Sequence, residues 1–355
     1  MNPKTASASA WKNELFSRIA PAPLDGGFEQ EGSWVWGSSV VQAADGKFHM
    51  FASRWPKHLP FHPGWMVASE VAHSVSDTAE GPYTFVDVAL GARGAQYWDG
   101  RSVHNPRVLT YDDRYVMFYM GSTHPFADST DPSLLTLDSA HTVVARSNKR
   151  IGIATAKDLN GPWSRRDACI LDVAPDTFYD FLTSNPAPWI NEDGSVKLLF
   201  KSRRYKDQFP FHSTMKIGLA TAAHFEGPYT VESDQPIFGV DSIGEIEDPF
   251  LWRDDTGYHL IAKDQHGTIS GHLHCGILAH SDDASHWVLD SEPLAYSREL
   301  TWADGKTIKM GQLERPFGLI QDGTLTHLFF ATMDGPGGFQ NSTKSWNMVV
   351  PLQSR

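Results

Sequence analysis

Asn185-Pro186-Ala187-Pro188-Trp189, then the turn Asp193-Gly194, then Val196–Phe200, is the stretch whose recurrence decides the fold. An X-Pro step opens an apolar run, a polar turn follows, and a second apolar run closes the unit. The same order returns at Asn105-Pro106-Arg107-Val108-Leu109, Asp248-Pro249-Phe250-Leu251-Trp252 and Arg315-Pro316-Phe317-Gly318-Leu319. A fifth copy, without its proline, starts at Ser38-Ser39-Val40-Val41 and turns at Asp45-Gly46. A second motif trails three of the copies: Gly81-Pro82-Tyr83, Gly161-Pro162-Trp163 and Gly227-Pro228-Tyr229. Runs such as Ile151-Gly152-Ile153-Ala154 and Ile217-Gly218-Leu219-Ala220 precede two of these, and Cys275-Gly276-Ile277-Leu278 is a further one.

The two motifs keep phase. Pro106 to Pro186 and Pro82 to Pro162 are both 80 residues, and each Gly-Pro precedes the next X-Pro by 24, 24 and 21 residues. Alternating apolar positions and Asp/Gly turns read as short strands. About four strands per repeat is one blade of a β-propeller. The expectation is an all-β, five-bladed β-propeller over residues 30–355, preceded by an extension over residues 1–29. Residues 6–19 are expected to form one short helix in that extension. A generic β-sandwich would also have short strands, but it does not explain phased repeats.

Composition narrows the function. The net charge of −12 with no basic patch argues against a nucleic-acid partner. No apolar stretch approaches 18 residues, so no helical membrane span is expected. Two cysteines, Cys169 and Cys275, make no disulfide framework, and residues 1–20 carry no apolar signal core. Both point to a cytoplasmic protein. The 12 Trp exceed what blade packing needs and suit stacking against a sugar face. The extension could instead serve as a homodimer contact.

In a propeller the first strand of each blade lines the axis, so residues just before each X-Pro converge at one mouth. These are Trp36-Gly37-Ser38, His104-Asn105, Ser184-Asn185, Glu247-Asp248 and Glu314-Arg315. The residue before a proline is expected to be extended. The acid-Pro openings and the Gly-Pro-Trp/Tyr closings resemble the five-bladed glycosidase superfamily, glycoside hydrolase families 43, 62, 32, 68, 117 and 130. The Gly-Pro-Tyr/Trp motif is similar to family 43, while Glu247-Asp248-Pro249 and Glu314-Arg315-Pro316 resemble the Glu-X-Pro signature of family 32. The resemblance implies a glycosidase acting on a small oligosaccharide or glycoside. Family 43 carries its three acids on blades one, two and three. The matching positions here are Ser38, Asn105 and Ser184 or Asn185, none of them a carboxylate.

The carboxylates at the expected mouth are Glu247, Asp248 and Glu314. Two carboxylates across a cleft can hydrolyse a glycoside, so Glu247 and Glu314 are the expected acid/base pair. His104 is a further proton-transfer candidate, and Asp248 the third acid. Trp36, Asn105 and Asn185 are expected to bind substrate. Basic residues recur after each second strand: Arg54, Lys201-Ser202-Arg203-Arg204, and Lys263 with His266. Of these, Arg54, Arg203, Lys263 and His266 are expected substrate contacts, suited to an acidic sugar. His266, His272 and His274 leave a bound divalent cation open, but no zinc-type spacing is present, and no cofactor is otherwise implied. Two rival readings stand beside hydrolysis. One is a non-catalytic carbohydrate-binding propeller; the other is a polysaccharide lyase using His104 and Arg203.

Overall fold

The computed structural model describes residues 13–128, 131–335 and 337–354. Its strands form five radial sheets. Blade one is β1 (Ser33–Gln42), β2 (Phe48–Pro56), β3 (Glu70–Ser76) and β4 (Thr84–Leu90). Blade two is β5 (Ser102–Tyr111), β6 (Arg114–Ser122), β7 (Arg150–Ala156) and β8 (Ser164–Arg165). Blade three is β9 (Leu182–Ile190), β10 (Val196–Arg203), β11 (Lys216–Ala222) and β12 (Thr230–Val231). Blade four is β13 (Ile246–Asp254), β14 (Gly257–Asp264), β15 (Gly276–Ser281) and β16 (Val288–Tyr296). A hairpin, β17 (Glu299–Thr301) with β18 (Thr307–Lys309), leads to blade five: β19 (Gln312–Gln321), β20 (Thr324–Met333) and β21 (Ser345–Pro351). Every blade is an antiparallel meander. The first strands touch in the closed order β1, β5, β9, β13, β19, β1, so the chain is a five-bladed β-propeller.

The N-terminal segment closes this ring. Phe28 bridges Asn347 of β21, its N–H donating to the Asn347 carbonyl at 2.8 Å and its carbonyl accepting at 2.9 Å. This supplies blade five with the outer pairing that its three strands lack. Gly27 is required there, because a Cβ would stand 1.9 Å from the Asn347 carbonyl oxygen. The expected helix over residues 6–19 is not found where it is described. Residues 13–19 hold only a 3-10 turn, Phe16–Arg18, and the rest of that span lies outside the described residues. Asn13 and Ile19 are tied to the chain's own blade four and to Leu352.

The repeat has a packing reason. Gly152, Gly218 and Gly276 occupy matching places near the start of each third strand. A Cβ on them would meet Trp98 at 2.3 Å, Phe200 at 2.6 Å and Tyr296 at 2.0 Å respectively. An aromatic ring lies flat on each glycine and fills the space between blades. Buried Phe118 and Ile153 of blade two pack on Leu198 and Phe200 of blade three, and Phe250 meets Phe317 across blades four and five at 5.2 Å. Each such side chain contributes about 1.5–3 kcal/mol on leaving water.

The residues before the prolines are not extended. Asn105, Asn185, Asp248 and Arg315 have φ of 56°, 50°, 59° and 56°, and Gly37 of 27° takes their place in blade one. Each sits where the ladder to the second strand slips. Proline has no N–H to offer the ladder, so the X-Pro pair bulges against one partner residue. Asn, Asp and Gly tolerate the left-handed backbone; Arg315 bears about 1–2 kcal/mol of strain there. Its side chain is held in return by Asp248, at 3.0 Å. No helix among the described residues is long and apolar enough to cross a membrane.

Candidate active site

The bulge residues of blades two to five turn their side chains onto the axis and build a polar ring. Asn185 Nδ2 donates to Asp248 Oδ1 at 3.0 Å, and Arg315 Nη1 meets the same oxygen at 3.0 Å. Asn105, in the amide orientation that satisfies both its ends, accepts from Arg315 at 2.9 Å and donates to His104 Nε2 at 3.2 Å. Gly37 leaves room for this ring, since a Cβ there would lie 3.1 Å from the Asn105 side-chain amide. Below it, Arg107 donates to the carbonyls of Ser38 at 2.7 Å and Pro316 at 3.0 Å, tying three blades together. Asn105, Asn185 and Asp248 therefore form the floor under the site rather than its lining. Burial pushes the Asp248 carboxyl up to about 6 against the pull of Arg315, and its Oδ2 is sealed without a partner.

Above this floor opens a cavity of about 540 Å³, within the range of about 300–1,000 Å³ usual for small-ligand sites. Residues one place before the bulge line it: Trp36, His104, Glu247 and Glu314. Their cross-strand neighbours on the second strands are Ser53, Met120, Lys263 and Ala331, and Lys201 holds the same place in blade three opposite Ser184. The two lysines reach into the same space. Lys263 Nζ lies 2.8 Å from Glu247 Oε2 and 2.7 Å from Glu314 Oε1. Two oxygens that share one nitrogen at those lengths stand no more than about 5.5 Å apart. Lys201 Nζ pairs with the other oxygen of Glu247. Among the described residues Glu314 Oε2 has no hydrogen-bond partner.

The electrostatics differ between the groups. Burial would raise Glu247, but Lys201, Lys263 and Arg315 hold its carboxyl well below the usual range. Burial would lower Lys263, but Glu247, Glu314 and Asp248 hold it above the usual lysine range. Glu247 is thus held ionised, which suits it to a base, nucleophile or charge-stabilising role in the expected pair rather than to donating the proton. His104 is 2% exposed; with Nε2 accepting from Asn105, its Nδ1–H donates to Ser69 Oγ, 2.8 Å away. Burial, then Arg315 and Lys149, push its pKa well down, so it is a neutral imidazole.

The expected basic contacts divide. Arg203 and Lys263 line the cavity; Arg54 and His266 do not. Arg54 pairs with Glu70 at 2.7 Å and with Gln30, and its guanidinium lies over Phe85. His266 pairs with Glu245 at 2.9 Å. The structure adds residues that the repeat did not point to. Two insertions carry them: the helix α1 (Phe61–Ala68) after β2, and α2 (Ala140–Ser147) after β6, which pack on each other. They bring Phe61, His62, Trp65, Arg146 and Lys149 to the wall. Trp36 meets Phe61 edge-on and Trp55 meets it at a tilt, both at 5.0 Å, and Trp65 stacks on His104 at 4.8 Å. Their only sequence signal is the length of the two insertions and the basic run Arg146, Lys149, Arg150 before β7.

Acids outside the mouth serve the scaffold. Asp99 is fully buried against Arg93 and Tyr119, and Asp180 accepts from the Tyr205 N–H at 2.7 Å. Among the described residues no three His, Cys, Asp or Glu side chains converge as metal ligands. Between Glu247 and Glu314 the Lys263 ammonium stands where a cation would.

No protein-family model matches the chain, and no curated protein matches it either. Solved structures do. Zg3597, a family 117 glycoside hydrolase of the marine bacterium Zobellia galactanivorans, is 15% identical with a TM-score of 0.66, over 96% of this chain and 91% of that one. CoXyl43, a family 43 β-xylosidase/α-arabinofuranosidase from a compost microbial metagenome, is 14% identical with a TM-score of 0.58, over 93% and 95%. An exo-1,5-α-L-arabinanase from a bovine ruminal metagenomic library is 13% identical with a TM-score of 0.53, over 96% of both chains. At such identities the likeness is one of fold, and over nearly its whole length this chain has the five-bladed propeller of those glycoside hydrolases.

Proposed function

We propose that the protein hydrolyses the O-glycosidic bond of a small oligosaccharide or glycoside. The observation that carries this is the meeting of Glu247 and Glu314 on one ammonium, in an aromatic-walled cavity at the axis of a propeller shared with glycoside hydrolases. Glu314, with Oε2 unclaimed by the protein, is the group that faces the anomeric carbon, as nucleophile or base. Glu247 stays ionised and stabilises the positive charge that builds on the sugar. The proton for the leaving oxygen comes from Lys201, whose pKa burial lowers against the pull of Glu247. Two courses balance: direct attack by Glu314, after which water activated by Lys201 frees the sugar with retention, or a single displacement by water that Glu314 activates, with inversion; NMR of the first-formed anomer separates them.

The test is product release from a panel of neutral and uronic oligosaccharides. Glu314→Gln keeps the shape but cannot attack or exchange a proton, so turnover should fall by about 10²–10⁴ in a folded protein. Unchanged turnover in that variant removes Glu314 from the chemistry. Oligosaccharide binding with no turnover in the wild type favours the carbohydrate-binding reading. An absorbance rise from an unsaturated uronide would select the lyase, for which His104 and Arg203, both on the cavity wall, are the pair in place.

A further inference from the structure

Three cations line the cavity without a carboxylate in ion-pair contact, although Glu247 and Glu245 favour the charged Arg203 from further off and Asp138 the charged Arg146. Lys201 and Lys263 are taken by Glu247 and Glu314, and Arg315 by Asp248. Arg146, Lys149 and Arg203 have no ion-pair partner among the described residues. Lys149 is 7% exposed, and its ammonium faces only the ring of Trp65, 4.0 Å away. Arg203 donates to the Ser213 carbonyl at 2.5 Å and contacts His212, both neutral. Burying an ammonium without a counter-ion is costly, and a like charge nearby adds to the cost. Burial, then Lys201, Arg146, Arg203 and Arg315, accordingly pull Lys149 well below the usual lysine range. The whole chain carries −12, so this cluster is positive against the background of the molecule.

From this geometry we infer that the sugar bound here carries an anionic group, a uronate carboxylate or a sulfate ester, seated among Arg146, Lys149 and Arg203. This rests on the carbohydrate reading of the cavity and names the substrate class within it. The anion supplies the missing counter-charge, and Arg203 and Arg146 can each present paired N–H groups to its oxygens. Trp65, against Lys149, gives the same sugar a flat apolar face. The cavity is walled by α1, α2 and the blade mouths, so the anion must be small and attached to a sugar rather than to a polymer backbone lying across a surface. Glu247 and Glu314 are on blades four and five, while Arg146 and Lys149 belong to blade two and Arg203 to blade three. The charged group and the bond to be cut are thus held by different walls.

Calorimetric titration of the folded full chain tests this with glucuronate, galacturonate, a 6-sulfated hexose, and the neutral glucose and galactose. The acidic sugars should bind at least about tenfold tighter than their neutral partners, and Lys149→Met or Arg203→Gln should remove that margin by weakening the acidic sugars more than the neutral ones. Preference for the uronates or for the sulfated sugar supports the inference and identifies the source of the anion. Equal binding of neutral and acidic sugars overturns it, as does an acidic preference that survives both variants. If either variant fails to fold, Arg146→Gln, at the cavity edge on α2, carries the same expectation. Acidic-sugar binding without turnover leaves this inference standing and removes hydrolysis. Turnover of neutral glycosides with no acidic preference does the reverse.

Discussion

The cavity has two walls of basic residues that are built to opposite rules. On blades three to five, Lys201, Lys263 and Arg315 each lie against a carboxylate of the chain itself. On blades two and three, Arg146, Lys149 and Arg203 line the same space with no such partner among the described residues. Lys201 and Arg203 make the contrast sharpest, because they are two residues apart on β10 and share its face. One is held by Glu247; the other has no ion pair among the described residues and donates to the Ser213 carbonyl. A folded chain gains from a satisfied buried charge and loses from an unsatisfied one. The first wall is therefore part of what holds the propeller mouth together. The second is stability given up at a place where a ligand can restore it.

The largest effect that sharpens this contrast is on Lys263. Lys263→Met removes the ammonium shared by Glu247 and Glu314 and leaves two carboxylates facing each other, with Lys263 and Glu314 buried and Glu247 only slightly exposed. Breaking a buried pair from one side typically costs about 3–5 kcal/mol. Urea denaturation should show a loss of that order. A loss below about 1 kcal/mol, the range of exposed ion pairs, would mean that the two walls do not differ.

Lys149→Met should go the other way. It removes an unpartnered buried charge and fills the space with an apolar chain of similar length. The contact with Trp65 is forfeited, worth about 0.5–2 kcal/mol at most. Relief of the charge penalty should leave the variant at least as stable as wild type, by up to about 1–2 kcal/mol. A clear destabilisation would show that Lys149 has a partner inside the fold and is not waiting for a ligand.

How much of this could be read beforehand depended on period and phase. The blades were legible because the X-Pro bulge and the Gly under each aromatic recur at fixed spacing. The mouth residues Trp36, His104, Glu247 and Glu314 were legible for the same reason, since one strand position faces the axis in every blade. Arg54 and His266 failed by one residue. The strand positions that enter the cavity are those of Trp55, Arg203 and Gln265, and a shift of one along a strand reverses the face. The pre-proline rule failed because a bulge, not an extended strand, is what absorbs a proline with no N–H. Arg146, Lys149 and Trp65 sit in insertions found in single blades, so no repeat could mark them. The sharing of Lys263 between two glutamates needed coordinates, because it joins side chains 16 and 51 residues apart in sequence.

The smallest expected effect is a dependence of this difference on pH, and its sign separates the two lysines. Lys149 has a folded pKa well below its unfolded value of 10.5. Below 10.5 the unfolded chain binds a proton more readily than the folded one, so stability is lost as pH falls from 10.5 toward the folded pKa. Raising the pH from 7 toward 10 should therefore recover stability in the wild type that Lys149→Met already has, and the gap between them should shrink. Lys263 is the opposite case, with a folded pKa above 10.5. Its contribution is fully present below 10.5 and is lost only as pH rises through the folded value. The gap between wild type and Lys263→Met should stay constant from pH 7 to 10. Comparing each variant with wild type at the same pH cancels the titration of groups that do not interact with the lysine replaced. Denaturation midpoints for the three proteins at pH 7, 8.5 and 10 are the measurement. Parallel gaps for both lysines would show that Lys149 is held as firmly as Lys263, and the division of the cavity into a satisfied wall and an open one would be lost.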